Sequence, residues 1–121
     1  MEGCVFCKII RGEFPSHRIY EDKDYIAFLD IRPLAPGHIL VIPKQHYRWV
    51  WDVPDIGVYF AVVQKMAHAL QKAFSVDEVH ARVIGEEVAH AHVWVYPAPD
   101  KTEGDKNDFV GNAEKIRQAL A

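Results

Sequence analysis

Residues 85–97 read GEEVAHAHVWVYP, and this short run sets the character of the whole chain. The apolar, β-branched and aromatic content from Val88 to Tyr96, stopped by Pro97, predicts a strand over 88–96. Alternate side chains of a strand share a face. His90, His92 and Trp94 therefore stand together with Val88, while Ala89, Ala91, Val93 and Val95 fill the opposite face. Residues 78–84 read as a partner strand, with Gly85 turning one into the other. Two histidines on one face beside an indole fit either a chemical site or a solvated polar face with incidental histidines.

Upstream, Pro54 and Asp55 open a helix that runs to Phe74. Its apolar residues Val58, Ala61, Val62, Met66, Ala69, Leu70 and Phe74 recur at spacings of three and four. Residues 47–53 are rich in aromatics and ambiguous. Residues 38–42 form an apolar strand stopped by Pro43, and Pro33 and Pro36 punctuate the loop before it. Residues 18–22 and 25–30 predict a hairpin across Asp22-Lys23-Asp24. A first helix spans 4–11, closed by Gly12 and broken by Phe14-Pro15-Ser16. Downstream, 101–108 reads as a polar loop, and Asn112 is predicted to cap a short helix over 113–120. Helices mixed with antiparallel strands predict an α+β fold, a single domain over 1–121.

Composition narrows the function. With 121 residues, half of them apolar, and a net charge of −3, the chain is suited to one buried core and not to bulk electrostatic attraction to nucleic acid. Apolar stretches are short and interrupted by charge or proline, so no membrane span is expected. The opening MEGCVFCKII lacks the basic-then-apolar order of a secretory signal, and two cysteines make no disulfide scaffold. The expected compartment is the cytoplasm. Seven histidines are many for this length and direct attention to histidine chemistry.

Two further segments carry candidate chemistry. Cys4-x-x-Cys7 reads as a redox pair, half of a metal site, or two packed thiols. The redox reading expects a strand before the motif. A tetrahedral metal site needs two more ligands, for which His46 and His90 are the natural candidates. In Phe28-Leu29-Asp30-Ile31, the acid at a strand end could meet ribose hydroxyls between two apolar walls, or could simply begin a turn.

Together these segments resemble the histidine triad (HIT) family of nucleotide-binding hydrolases and transferases. CVFCKIIRGEFPSHRIYED, AFLDIRPLAPGHILVIPKQH and GEEVAHAHVW carry the likeness, in one order, over roughly the first hundred residues. The resemblance implies a HIT-like fold: a five-stranded antiparallel sheet with one long and two short helices, paired as a homodimer through the long helix 54–74. It implies attack by His92 on the α-phosphorus of a purine nucleotide, with a nucleotidyl-histidine intermediate and His38 near the α-phosphate. It further implies Asp30 on the ribose, Phe28 and Ile31 as walls of the base pocket, and Gly85 and Glu87 in the phosphate-binding segment. Cys4, Cys7, His46 and His90 correspond to the structural zinc ligands of members that carry CxxC.

The expected substrates are phosphoramidates, adenylylated carriers or dinucleoside polyphosphates; a zinc-stabilised nucleotide-binding module with little turnover is the alternative. The chain departs from the family pattern at Trp94, where the third histidine is expected, at Glu87, where serine is typical, and in a short loop before Gly85 that lacks the usual asparagine.

Overall fold

The computed structural model describes residues 3–121. The elements run α1 (Val5–Ile10), β1 (Arg18–Glu21), β2 (Tyr25–Leu29), β3 (Ile39–Pro43), a single 3-10 turn (Val50–Asp52), α2 (Ile56–Phe74), β4 (Val79–Arg82), β5 (Val93–Pro97) and α3 (Phe109–Leu120). The ambiguous aromatic stretch thus resolves into the 3-10 turn and its flanks. The five strands form one antiparallel sheet in the order β1-β2-β3-β5-β4.

The sheet is covered on both faces, which is why β2 and β3 read as unbroken apolar runs and not as alternating ones. Ala27, Leu29, Ile39, Val41, Val93 and Val95 point toward α2 and α3, where Met66, Leu70 and Ile116 are fully buried. Ile26, Phe28, Leu40 and Ile42 point the other way and meet Phe6 and Ile9 of α1. Only one turn and a half of helix roofs this second face, so part of it stays open as a cavity floored by the sheet.

Two predicted boundaries are corrected. The strand expected over 88–96 is present only as Val93–Pro97, and residues 83–92 form a long connection in place of a tight hairpin. The reason lies in its partners. The amide of Ala91 donates to the Tyr47 carbonyl at 2.7 Å, and His90 Nε2 donates to the Pro43 carbonyl at 2.8 Å. The chain here is tied to the last residue of β3 and to the segment after it, so it leaves the ladder with β4.

The last helix starts at Phe109, earlier than predicted. Its cap is Asp108, whose carboxylate accepts the Gly111 amide at 3.1 Å. Asn112 lies buried inside the helix and donates its side-chain amide to the Asp105 carbonyl at 2.9 Å.

A candidate active site beside a metal-ligand cluster

The N-terminal cysteines are positioned by α1. Cys4 is its N-cap, with Sγ accepting the Cys7 amide at 3.3 Å, and Cys7 sits one turn on. Facing them are His46, just after β3, and His90 in the 83–92 connection. Cys7 Sγ lies 3.3 Å from His46 Nδ1, Cys4 Sγ lies 3.3 Å from His90 Nδ1, and the two Nδ1 atoms are 3.1 Å apart. All four ligand atoms fall within 4.8 Å of one another.

A tetrahedral ion with bonds of about 2.0–2.3 Å spaces its ligand atoms roughly 3.3–3.8 Å apart, so the set fits such an ion. His90 Nε2 is committed to the Pro43 carbonyl, which leaves the Nδ1 lone pair for the metal. Burial pushes the His90 imidazole down to about 4, so it is neutral near pH 7. Burial and the neighbouring Cys4 push the Cys7 thiol up to about 11 in the absence of an ion, and a bound cation would reverse that by favouring the thiolate. The soft two-sulfur, two-nitrogen donor set can hold a metal ion.

Next to this cluster, on the open face of the sheet, lies a cavity of about 490 Å³. It is lined by Phe28, Asp30, Ile31, Glu87, His92 and Trp94, six of the residues singled out from the sequence. His92 is buried and immediately precedes β5. Its Nδ1–H donates to the His90 carbonyl at 2.7 Å, so the Nε2 atom carries the free lone pair. Asp30 caps the end of β2. Its Oδ1 accepts the Arg32 amide at 2.9 Å, while burial lifts its carboxyl above the usual range and that amide and His92 pull it back. Ile31 is 75% exposed at the mouth, where an apolar ligand surface could cover it.

Two of the predicted residues are placed elsewhere. His38 is only 1% exposed and lies behind the cavity wall, against Trp94 and Tyr96, with ring centroids 5.4 Å and 5.0 Å away. Its Nδ1 accepts the Leu34 amide at 3.0 Å. The proton must therefore sit on Nε2, which is buried without a hydrogen-bond partner and lies 3.7 Å from Asp30 Oδ2. Burial, with the charge of Arg82 adding to it, lowers the His38 pKa to about 4. His38 is thus a neutral support behind the Asp30 carboxylate.

Gly85 is also outside the cavity. It has φ +80, and a Cβ there would come within 3.0 Å of the Trp49 ring, while its carbonyl accepts Arg48 Nη1 at 2.9 Å. The need for glycine at this point is met by close packing against Trp49.

Sequence reasoning missed Phe6. It lies between the two cysteines on α1 and lines the cavity, with its ring edge-on to His92 at 5.2 Å, His90 at 5.9 Å and Phe28 at 5.6 Å. No spacing signal marks it, because its neighbours come from three distant segments. Arg32, which brings a positive charge to the mouth, was also missed, although its place beside Asp30 was visible. A larger depression of about 830 Å³ between Lys23, Pro43, Tyr47 and Asp55 contains none of the candidate groups.

A five-stranded antiparallel sheet with a histidine-lined cavity beside a four-ligand cluster defines a class of small α+β proteins, and comparison with known proteins names its family. The HIT domain family matches residues 11–100, and the chain belongs to that family. An uncharacterized HIT-like protein of Methanocaldococcus jannaschii is 40% identical over 108 residues, covering 84% of this chain and 81% of that one. An adenosine 5'-monophosphoramidase of Saccharomyces cerevisiae is 38% identical over 107 residues, covering 84% of this chain and 66% of that one.

Among solved structures, a HIT-like protein involved in cell-cycle regulation from Bartonella henselae superposes with a TM-score of 0.88 at 39% identity, over 99% of this chain and 98% of that one. A zinc-bound histidine triad family protein from Mycobacterium smegmatis gives 0.79 at 31% identity, over 98% and 94%.

Proposed function

We propose that the protein is a nucleotidyl hydrolase or transferase that cleaves purine nucleotides at the α-phosphate through a nucleotidyl-His92 intermediate. One observation carries this reading: His92 lines the cavity with its Nδ1–H pinned to the His90 carbonyl, which leaves Nε2 as an oriented lone pair beside Asp30 and Phe28. A neutral imidazole with one nitrogen fixed is a competent nucleophile, and a covalent step divides one hard displacement into two easier ones. The relative named as an adenosine 5'-monophosphoramidase supports a phosphoramidate of AMP as the first substrate to try.

In this reading Asp30 accepts hydrogen bonds from the ribose hydroxyls, and Phe28 and Ile31 flank the base. Asp30→Ala should weaken AMP binding by ~1–3 kcal/mol, the usual range for hydrogen bonds to a charged group. Isothermal titration with AMP and its dideoxy analogue checks this. The analogue should bind wild type and variant alike, and unchanged AMP affinity would remove Asp30 from the ribose subsite.

Trp94 sets the leaving-group range. An indole has one N–H donor, no acceptor and no titration in the working range. It can steady a departing oxygen but cannot protonate an amine, and general acid help is commonly worth ~100- to 10,000-fold. Wild type should therefore favour acidic leaving groups. Trp94→His should flatten the dependence of rate on leaving-group pKa, and parallel plots for the two proteins would reduce Trp94 to a cavity wall.

We further propose zinc as the ion held by Cys4, Cys7, His46 and His90, in a structural role. A homodimer through α2 is supported by exposed Ile56 and Val58 near the start of that helix and by the free edge of β4; sedimentation equilibrium measures it. Among the described residues no helix is long and apolar enough to cross a membrane. Free thiols at the metal cluster suit a reducing compartment, and we place the protein in the cytoplasm.

A further inference from the structure

Transfer of a nucleotidyl group to water needs a nucleophilic side chain and also a group that takes the proton of the attacking water. We propose that Glu87 is that group, the general base for hydrolysis of the nucleotidyl-His92 adduct, doing what Trp94 cannot. The assignment rests on the nucleotidyl-transfer reading above and adds a residue to it.

The cavity leaves few alternatives. Among the described residues lining it, the ionisable side chains are Asp30, Arg32, Glu87 and His92. His92 Nδ1–H is spent on the His90 carbonyl, and its Nε2 holds the adduct. The Arg32 guanidinium is a donor with no acceptor atom. Asp30 is held by the Arg32 amide on Oδ1, with Oδ2 facing His38 Nε2. Trp94 offers only an N–H.

Behind the wall, His38 has Nδ1 occupied by the Leu34 amide and Nε2 sealed from the cavity. His90 has Nε2 on the Pro43 carbonyl and Nδ1 among the metal ligands. Glu87 differs from all of these. It is an exposed carboxylate on the 83–92 connection, and it borders both the cavity of His92 and the adjoining groove beside Cys4 and His46. Water therefore reaches Glu87 and His92 from the same space.

The step balances without a further reactant. Glu87 takes a proton from water as the water oxygen bonds to phosphorus. The phosphorus–Nε2 bond breaks, its electron pair returns to Nε2, and the nucleoside monophosphate leaves. Glu87 then passes its proton to solvent. The carboxylate also repels the monophosphate product, which bears more negative charge than the adduct, and so favours its release.

The test mixes wild type and Glu87→Gln with the p-nitrophenyl ester of AMP, whose phenol release reports adduct formation. The variant should give a stoichiometric burst and then turn over ~100- to 10,000-fold more slowly than wild type. Intact mass should show the nucleotidyl adduct accumulating. Hydroxylamine, a nucleophile that needs no base, should discharge the stalled adduct, and Glu87→Asp should recover part of the rate. Turnover of Glu87→Gln within about threefold of wild type, or loss of the burst together with turnover, would overturn the role of Glu87 alone. No burst and no adduct in wild type would overturn the nucleotidyl-transfer reading and this role with it.

Discussion

His92→Ala should lower turnover of an AMP aryl ester by ~10,000-fold or more, the scale seen when the nucleophile of a covalent mechanism is removed. The nucleotidyl-protein adduct, detected by acid quench and intact mass, should be present in wild type and absent in the variant. No other group can take over. His90 is committed at both nitrogens, and His38 is buried behind the wall with its lone pair bonded to the Leu34 amide. The variant should keep its fold, because His92 makes one side-chain hydrogen bond, to a carbonyl two residues away. It should also keep AMP binding to a large degree through Asp30, Phe28 and Ile31. Full activity in His92→Ala would end the covalent mechanism. A wild type that binds AMP tightly and forms no adduct would leave a metal-stabilised nucleotide-binding module in its place.

The second large effect concerns the metal. Protein purified without added metal should carry about one zinc per chain by elemental analysis. Cys4→Ser or exhaustive chelation should cost ~3 kcal/mol and lower Tm by ~10 °C. That is a fraction of what structural zinc supplies to peptides with no core of their own, since this chain retains the core between its sheet and α2. The cluster joins α1, the segment after β3 and the 83–92 connection, three segments distant in sequence.

Because Phe6 sits between Cys4 and Cys7 and its ring meets His92 and Phe28, metal loss should also weaken AMP binding. Titration calorimetry before chelation, after it and after zinc is restored checks this. Zinc far below stoichiometry, with Cys4→Ser melting like wild type, would reject the site.

The order of elements, the α+β class and the long helix were legible because they depend on local properties. The three-and-four spacing of Val62, Met66, Ala69 and Leu70 marks one buried helix face, and all four are buried in α2. Prolines and glycines punctuated the rest, as at Gly12, where φ +80 closes α1. The four metal ligands were legible as types, since two cysteines with two histidines form a short list of soft donors. The cavity-lining residues from Phe28 to Ile31 were legible through the family likeness.

The two misreadings have different causes. Residues 88–92 have strand-like composition, yet their hydrogen bonds go to Pro43 and Tyr47, more than forty residues away, and no local pattern reports such a partner. Asn112 and Asp108 are both good cap residues. Asp108 holds the cap, while Asn112 is buried within the helix and bonds back to the Asp105 carbonyl. The sequence by itself therefore determined the α+β class and the order of elements, and its likeness to the family supplied the nucleophile candidate and the four candidate metal ligands. The α+β class and the helices follow from periodicity and punctuation, while the five-stranded sheet, the nucleophile candidate and the full ligand set came through the family likeness. Only the tertiary structure decided that His38 is sealed behind Asp30, that Gly85 serves Trp49, and that Phe6 bridges the two sites. It also decided that Glu87 shares a cavity with His92. Each depends on which distant side chains meet across the sheet and on which of their atoms water can reach.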